Sequence, residues 1–341
     1  MTIRIAVIGA GVMGADHVRT LDRYVSGATV QAVADLELAR AELAVGSLTG
    51  SGACWATDDP LAAISDPRVD AVLIASHDLT HVEFVLAAVR AGKPVLCEKP
   101  LAPSLAQALR LRTAVGADAG LVSLGFMRRF DPGYTRLKAA IDDRAVGRPL
   151  LLHCVSRGVS SAPGTTSETS LTGSAVHEFD VVPWLLSSPV VEVSWQAGRS
   201  SAVRSHSAQP AFQDPQLILL RTADGVLSSC ETFLNAGYGY DIRCEVVGES
   251  GAISLVEPAR VVTDQRAGRS IDYDADWRPR FADAYRLELQ AWVEKLRRGA
   301  VSPLASFQDG VQAGAVAQAV IDSLQHGGRF TKVRPDAEAE K

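Results

Sequence analysis

The feature that most restricts what this chain can fold into stands at its start. Ile3-Arg4-Ile5-Ala6-Val7-Ile8 is a short apolar run that ends on Gly9-Ala10-Gly11-Val12-Met13-Gly14, and an amphipathic stretch follows at once. Strand, glycine turn and helix in immediate succession open a β-α-β unit. Each glycine has a steric task there: the turn itself, close approach to a pyrophosphate, and packing of helix on strand. The first-turn amides of such a helix are unpaired and favour phosphate. Asp35 ends the next apolar run, 21 residues beyond Gly14, where a carboxylate can accept hydrogen bonds from an adenine ribose. Gly9, Gly11, Val12, Met13, Gly14 and Asp35 are therefore the expected dinucleotide contacts. The plainer alternative, glycines forming only a tight loop, leaves the strand–turn–helix context unexplained. An aspartate at position 35 repels a 2′-phosphate, which favours NAD over NADP; Arg40 is the nearby cation that would weaken that preference.

The pattern continues in the same rhythm. Apolar runs at Thr29–Ala34, Ala71–Ala75, Pro94–Cys97 and Leu121–Gly125 alternate with helical stretches such as Gly14–Val25, Thr80–Ala91 and Ser104–Val115. Continuous apolar strands alternating with helices predict a doubly wound parallel sheet, covered on both faces. After about residue 125 the rhythm changes. A helix at Gly133–Asp142, a strand at Pro149–Val155, a Gly/Ser/Thr/Pro-rich loop at Gly158–Thr172 and a helix through His177 to Leu186 lead into strand after strand: Val190–Gln196, Gln216–Arg221, Val226–Asn235, Asp241–Val247 and Ala252–Val256. Short turns between them predict a large, mainly antiparallel sheet, closed by helices at Arg280–Arg297 and Ser306–Leu324. The expected division is an α/β Rossmann domain over 1–124, an α+β domain over 125–334 and a charged, disordered tail over 335–341.

Composition removes several other classes. A net charge of −5 without a basic cluster argues against nucleic acid as a partner. No run approaches the roughly 18 apolar residues of a membrane span, and the first residues form a strand rather than a secretory signal. The five cysteines are scattered without a C-x-x-C pair, so neither a disulfide framework nor a metal site is expected, and the cytoplasm is the expected compartment.

Chemistry concentrates in two places. Cys97-Glu98-Lys99-Pro100 ends an expected parallel strand, the edge at which open α/β sheets bind ligands. Pro100 holds Lys99 extended, and an ammonium there can bond a substrate hydroxyl and stabilise negative charge on oxygen. Ser76, His77 and His81 after the preceding strand, with Glu98 and Lys99, complete the expected cofactor contacts. The second place is His177-Glu178-Phe179-Asp180. An imidazole titrating near neutrality suits removal of a hydroxyl proton.

Taken together, the glycine fingerprint, Glu98-Lys99-Pro100, Gly125-Phe126-Met127-Arg128-Arg129-Phe130-Asp131, His177-Glu178-Phe179-Asp180 and the run Tyr238–Gly248 resemble the glucose–fructose oxidoreductase/inositol dehydrogenase/MocA family. The likeness covers nearly the whole chain and is greatest to the bacterial myo-inositol 2-dehydrogenase branch. The resemblance implies hydride transfer between a nicotinamide and a secondary alcohol of a polyol or sugar. It implies Lys99 and His177 as catalytic residues, Arg129 and Tyr240 as substrate contacts, and a homodimer or homotetramer built through the second domain's sheet.

The chain also departs from that pattern. An aspartate usually stands four residues before the histidine, one helical turn away; here the position is Gly173. A His-Arg-Asn run typical of inositol dehydrogenases is replaced by Ser156-Arg157-Gly158. Ser156, Gly158, Gly173, His177, Arg129 and Tyr240 are thus the expected substrate-side residues, with smaller walls than the family pattern. Three readings stay open: a dehydrogenase for a different, bulkier cyclic polyol or sugar derivative; an inositol dehydrogenase of reduced efficiency; and a non-catalytic nicotinamide-binding protein.

Overall fold

The computed structural model describes residues 2–50, 54–201, 212–255, 261–299 and 304–336. Among the described residues the chain divides into two compact units: those of 2–130 and 283–314 with residue 336 form the first, and those of 131–282 with 315–335 the second.

In the first unit, strands β1 (Ile3–Ile8), β2 (Ala28–Ala34), β3 (Trp55–Thr57), β4 (Ala71–Ile74), β5 (Val95–Glu98) and β6 (Val122–Gly125) make a parallel sheet in the order β6-β5-β4-β1-β2-β3. A two-residue strand, Ala305–Ser306, adds antiparallel to β6. Helices α1 (Val12–Tyr24), α2 (Leu38–Gly46), α3 (Pro60–Ser65), α4 (His81–Arg90) and α5 (Leu105–Val115) alternate with the strands. Every residue of β4 is buried, as a central strand covered on both faces requires. Strand order reverses between β1 and β4, and the crevice at the carboxyl ends of those two strands is where such sheets take their ligand.

The expected contiguous division differs from the packing. Leu289, Trp292 and Val293, on the helix Ala282–Arg298, join Ile5 and Val7 of β1 and Val18 and Leu21 of α1 in one apolar core. Each such side chain contributes roughly 1.5–3 kcal/mol on burial, so the late helix folds with the early sheet. Of the expected disordered tail, residues 337–341 lie outside the described residues.

The second unit holds a sheet of β7 (Pro149–Arg157), β8 (Val190–Gln196), β9 (Gln216–Thr222), β10 (Leu227–Phe233), β11 (Asp241–Gly248) and β12 (Gly251–Ser254), in the order β12-β11-β7-β10-β9-β8, with Thr331–Lys332 pairing on β8. Only β7 and β10 run parallel; the other pairs are antiparallel. Expected strand ends at Val256 fall outside the described residues. Alternation sorts the two faces: Leu152, Cys154, Ile218, Leu220, Cys230 and Cys244 are buried on one side, while Leu151 and Leu217, each 39% exposed, lie on the other. Helices α6 (Pro132–Asp142), α7 (Ser167–Ser170) and α8 (Val176–Leu186) belong to this unit. Asp131 caps α6 by accepting from the amides of Gly133 and Tyr134, and its second oxygen takes Arg280 Nη1 at 2.8 Å in a buried ion pair.

Candidate active site

The fingerprint loop fits a pyrophosphate for steric reasons visible at each glycine. Gly9 has φ +94°, and a Cβ on it would stand 2.6 Å from the backbone of Ser76. A Cβ on Gly14 would meet the Gly9 carbonyl oxygen at 1.8 Å, so helix and turn touch only because the residue is glycine. Around Gly11 a Cβ would meet nothing within 4 Å, leaving the approach to the loop open. Helix α1 starts from Gly11, which has no side chain to claim its amides, and carries no acid in its first turn. Val12 is 59% exposed at that edge.

Asp35 closes the other side of the loop. One carboxylate oxygen accepts from Ala10 N at 2.7 Å and the other from Glu37 N at 2.9 Å, which fixes the carboxylate beside the fingerprint. Arg40 turns to Glu37, with Nη2 2.8 Å from Oε1. Arg40 is thus directed at a partner other than Asp35. This supports NAD over a 2′-phosphorylated cofactor.

Beyond β4, the Ser76 hydroxyl bonds Thr80 at 2.7 Å, and the exposed His77 ring pairs with Asp78. His81 is buried, and its nitrogens face the carbonyls of Pro100 (2.7 Å) and Ser76 (3.1 Å). It ties the Glu98-Lys99-Pro100 segment to the end of β4. Glu98 and Lys99 sit where β5 ends, and the Lys99–Pro100 peptide is cis. Burial pushes the Lys99 ammonium below its ordinary pKa, an effect that Glu98 opposes, Arg128 reinforces and Asp78 opposes. Arg129, expected at the substrate, pairs with Asp309 at 3.3 Å. Burial pushes that aspartate up, but the Arg129 charge and the Ser306 hydroxyl and amide hold it below the usual range.

The remaining expected residues belong to the second unit. His177 is 9% exposed in the first turn of α8. A single π-helical turn, Leu171–Ala175, precedes it and contains Gly173. Such wide turns are uncommon and are frequent at functional sites. A Cβ on Gly173 would meet nothing within 4 Å, so no packing demand explains the glycine. Gly158 is different. Its amide donates to Phe233 O, its carbonyl accepts from Ala236 N, and a Cβ would stand 3.1 Å from the Leu234 carbonyl oxygen. The glycine permits close approach of two chain segments. Ser156 is buried on the inner face of β7, beside the outward-facing Arg157, which pairs with Glu231. Tyr240 stacks edge-on against Phe281, with ring centroids 6.3 Å apart.

Sequence reasoning passed over His17. It lies on α1 three residues after Gly14, on the face that carries the buried Val18 and Leu21, and its Nε2 is 2.8 Å from Glu98 Oε1. The signal was available: a polar ring on an apolar helix face needs a buried partner.

A parallel sheet that carries this glycine turn and an aspartate just past its second strand defines the Rossmann class of dinucleotide-binding proteins. The chain belongs to the GFO_IDH_MocA oxidoreductase family: residues 3–126 match its NAD-binding Rossmann fold and residues 138–333 its C-terminal alpha/beta domain. It is 52% identical over 339 residues to inositol 2-dehydrogenase 2 of Paenarthrobacter aurescens, covering 98% of this chain and 99% of that one. It is 47% identical to inositol 2-dehydrogenase 1 of Saccharopolyspora erythraea, covering 96% of this chain and 95% of the relative. Among solved structures it resembles myo-inositol dehydrogenase from Lactobacillus casei in complex with NAD(H) and myo-inositol. There the TM-score is 0.90 at 29% identity, over 98% of this chain and 97% of the other.

Proposed function

We propose that this enzyme moves a hydride between NAD and a ring carbon bearing a secondary hydroxyl in an inositol-type cyclitol. The observation that carries the reading is the 52% identity, end to end, with a protein named inositol 2-dehydrogenase 2, in a chain whose cofactor fingerprint and Lys99 are both in place. Bound NAD supplies the hydride acceptor. Lys99 holds the reacting hydroxyl by hydrogen bonding and stabilises the charge that develops on oxygen as the C–H bond breaks. His177 takes the hydroxyl proton, so that alcohol and NAD+ become ketone, NADH and one proton on the imidazole. Arg129, Ser156, Gly158, Gly173 and Tyr240 shape the polyol pocket in this reading.

The test is NADH formation at 340 nm with myo-inositol, its stereoisomers and hexoses, on wild type and on Lys99→Ala and His177→Ala. Turnover with a cyclitol, reduced at least about 100-fold in each variant, is the expected outcome. Indifference to both substitutions would leave a protein that binds nicotinamide without using these groups. The open space at Gly173 favours a second reading, a cyclitol carrying a bulkier substituent, for which glycosylated and amino cyclitols belong in the same screen.

The enzyme works as a homodimer or homotetramer in this proposal, joined through the outward face of the second unit's sheet, where Leu151 and Leu217 are exposed. Its compartment is the cytoplasm. The five free cysteines support this, and no helix among the described residues is long and apolar enough to cross a membrane.

A further inference from the structure

The Glu98-Lys99-Pro100 segment is gripped from two sides by buried histidines. On one side, His17 is 1% exposed and directs Nε2 at Glu98 Oε1, 2.8 Å away. Its Nδ1 is buried too and meets no hydrogen-bond partner among the described residues. A proton on Nδ1 would be stranded, so the geometry assigns the Nε2–H tautomer: the imidazole donates, the carboxylate accepts, and the negative charge stays on Glu98. Tyr285 closes the far side of the ring edge-on, at 5.7 Å between centroids. On the other side, His81 Nδ1 reaches Pro100 O at 2.7 Å, the shorter of its two carbonyl contacts.

The second Glu98 oxygen faces the lysine. Oε2 accepts from the Lys99 amide at 3.3 Å and lies over Gly125, where a Cβ would stand 3.3 Å from it. Burial pushes the Glu98 carboxyl up, but the His17 hydrogen bond and the Lys99 charge bring it below the usual carboxylate range. Joining α1 to β5 does not require a buried polar pair. Two apolar side chains would do so without desolvating a carboxylate, and buried ionic groups are weak contributors to stability for that reason. What an apolar pair could not supply is a fixed negative charge next to Lys99.

We propose that His17 and Glu98 are a positioning pair for Lys99: the histidine fixes the carboxylate, and the carboxylate fixes the lysine backbone and places a negative charge beside its ammonium. This rests on the reading of Lys99 as the residue that meets the reacting hydroxyl. Among the described residues, the charges that act on that ammonium include Glu98 at the end of β5, Arg128 after β6 and Asp78 after β4, with His81 on α4 bonding the next residue's carbonyl. Of these, Glu98 is the acid adjacent to Lys99 in the chain and the one held by a buried second side chain, whereas the ring that pairs with Asp78, His77, is exposed.

The experiment compares wild type with Glu98→Gln, His17→Leu, His17→Gln and Lys99→Met in the full-length enzyme. It reads kcat, KM, the pH profile of kcat/KM, and NADH affinity by fluorescence. Lys99 itself is titrated by NMR of lysine-labelled protein, its signal assigned by absence from Lys99→Met. Glu98→Gln is expected to lower kcat about 10- to 100-fold. It should also move the Lys99 titration and the basic limb of the profile down by about one pH unit, with NADH affinity changed less than about threefold. His17→Leu should shift both in the same direction, and His17→Gln, whose amide can donate to the same oxygen, should restore most of the loss. An unmoved Lys99 titration in Glu98→Gln overturns the proposal whether or not a substrate has been found. So does a loss of activity accounted for wholly by weaker NADH binding. If Glu98→Gln fails to fold, the contrast between His17→Leu and His17→Gln decides in the same way. Full turnover by Lys99→Met would remove the reading of Lys99 and this inference with it. An inactive Lys99→Met beside normal Glu98→Gln and His17→Leu enzymes would remove this inference alone.

Discussion

At the scale of single residues, the proposed chemistry turns on Gly173 and Lys99. Gly173 stands where an orienting carboxylate would be expected one turn before His177, and the space around it accepts a side chain without collision. Gly173→Asp is therefore expected to fold normally and, if imidazole orientation limits turnover, to raise kcat with myo-inositol about tenfold or more. Unchanged kinetics would show that orientation is supplied elsewhere. Lys99 makes a prediction about pH. Its ammonium pKa lies below 10.5, chiefly through burial, so the proton leaves at lower pH than from an ordinary lysine. Activity that needs the ammonium is present below that depressed value and lost as pH rises through it. The kcat/KM profile should turn down short of 10.5, and a limb at or above it would contradict the burial argument. Lys99 and His177 could be proposed from the sequence because each lies in a short motif. The partner of His17 could not, since Glu98 is 81 positions away in the chain.

Individual elements carry the next set of constraints. Helix α1 can lie on its turn only through glycine, with 1.8 Å between a Gly14 Cβ and the Gly9 carbonyl oxygen. Gly14→Ala must displace α1, and loss of NADH binding by calorimetry is the expected result; near-normal affinity would show the turn to be more yielding than its packing implies. Helix α6 depends on Asp131, which both caps it and neutralises the buried Arg280. Asp131→Ala removes the cap and leaves a guanidinium unpaired. It should cost about 3–5 kcal/mol in denaturant unfolding, where a loss under 1 kcal/mol would show that water reaches Arg280. The strands of both sheets were readable from apolar runs and alternation, to within a residue or two at most ends. Helix α2 and the short β3 were not, because Leu36, Leu38 and Leu43 are exposed and give that stretch no apolar face to read. Nor was the π turn before α8: a one-residue widening changes hydrogen bonding without a mark in composition.

Across the whole molecule, the outward face of the second unit's sheet presents Leu151 and Leu217 among polar neighbours such as Glu245 and Arg243. Leu151→Glu with Leu217→Glu should convert a dimer or tetramer to a smaller species by light scattering. An unchanged mass would place the subunit contact elsewhere. At this scale the sequence by itself determined the two sheet types and the cofactor loop, because periodicity and glycine sterics are local properties of a chain. Tertiary structure alone decided that residues 283–314 fold with the first 130, that Arg40 turns to Glu37, that Arg129 meets Asp309 and that His17 meets Glu98. Those outcomes depend on which buried surfaces and charges find each other in space. A charge far along the chain is screened by solvent and salt until folding brings it near.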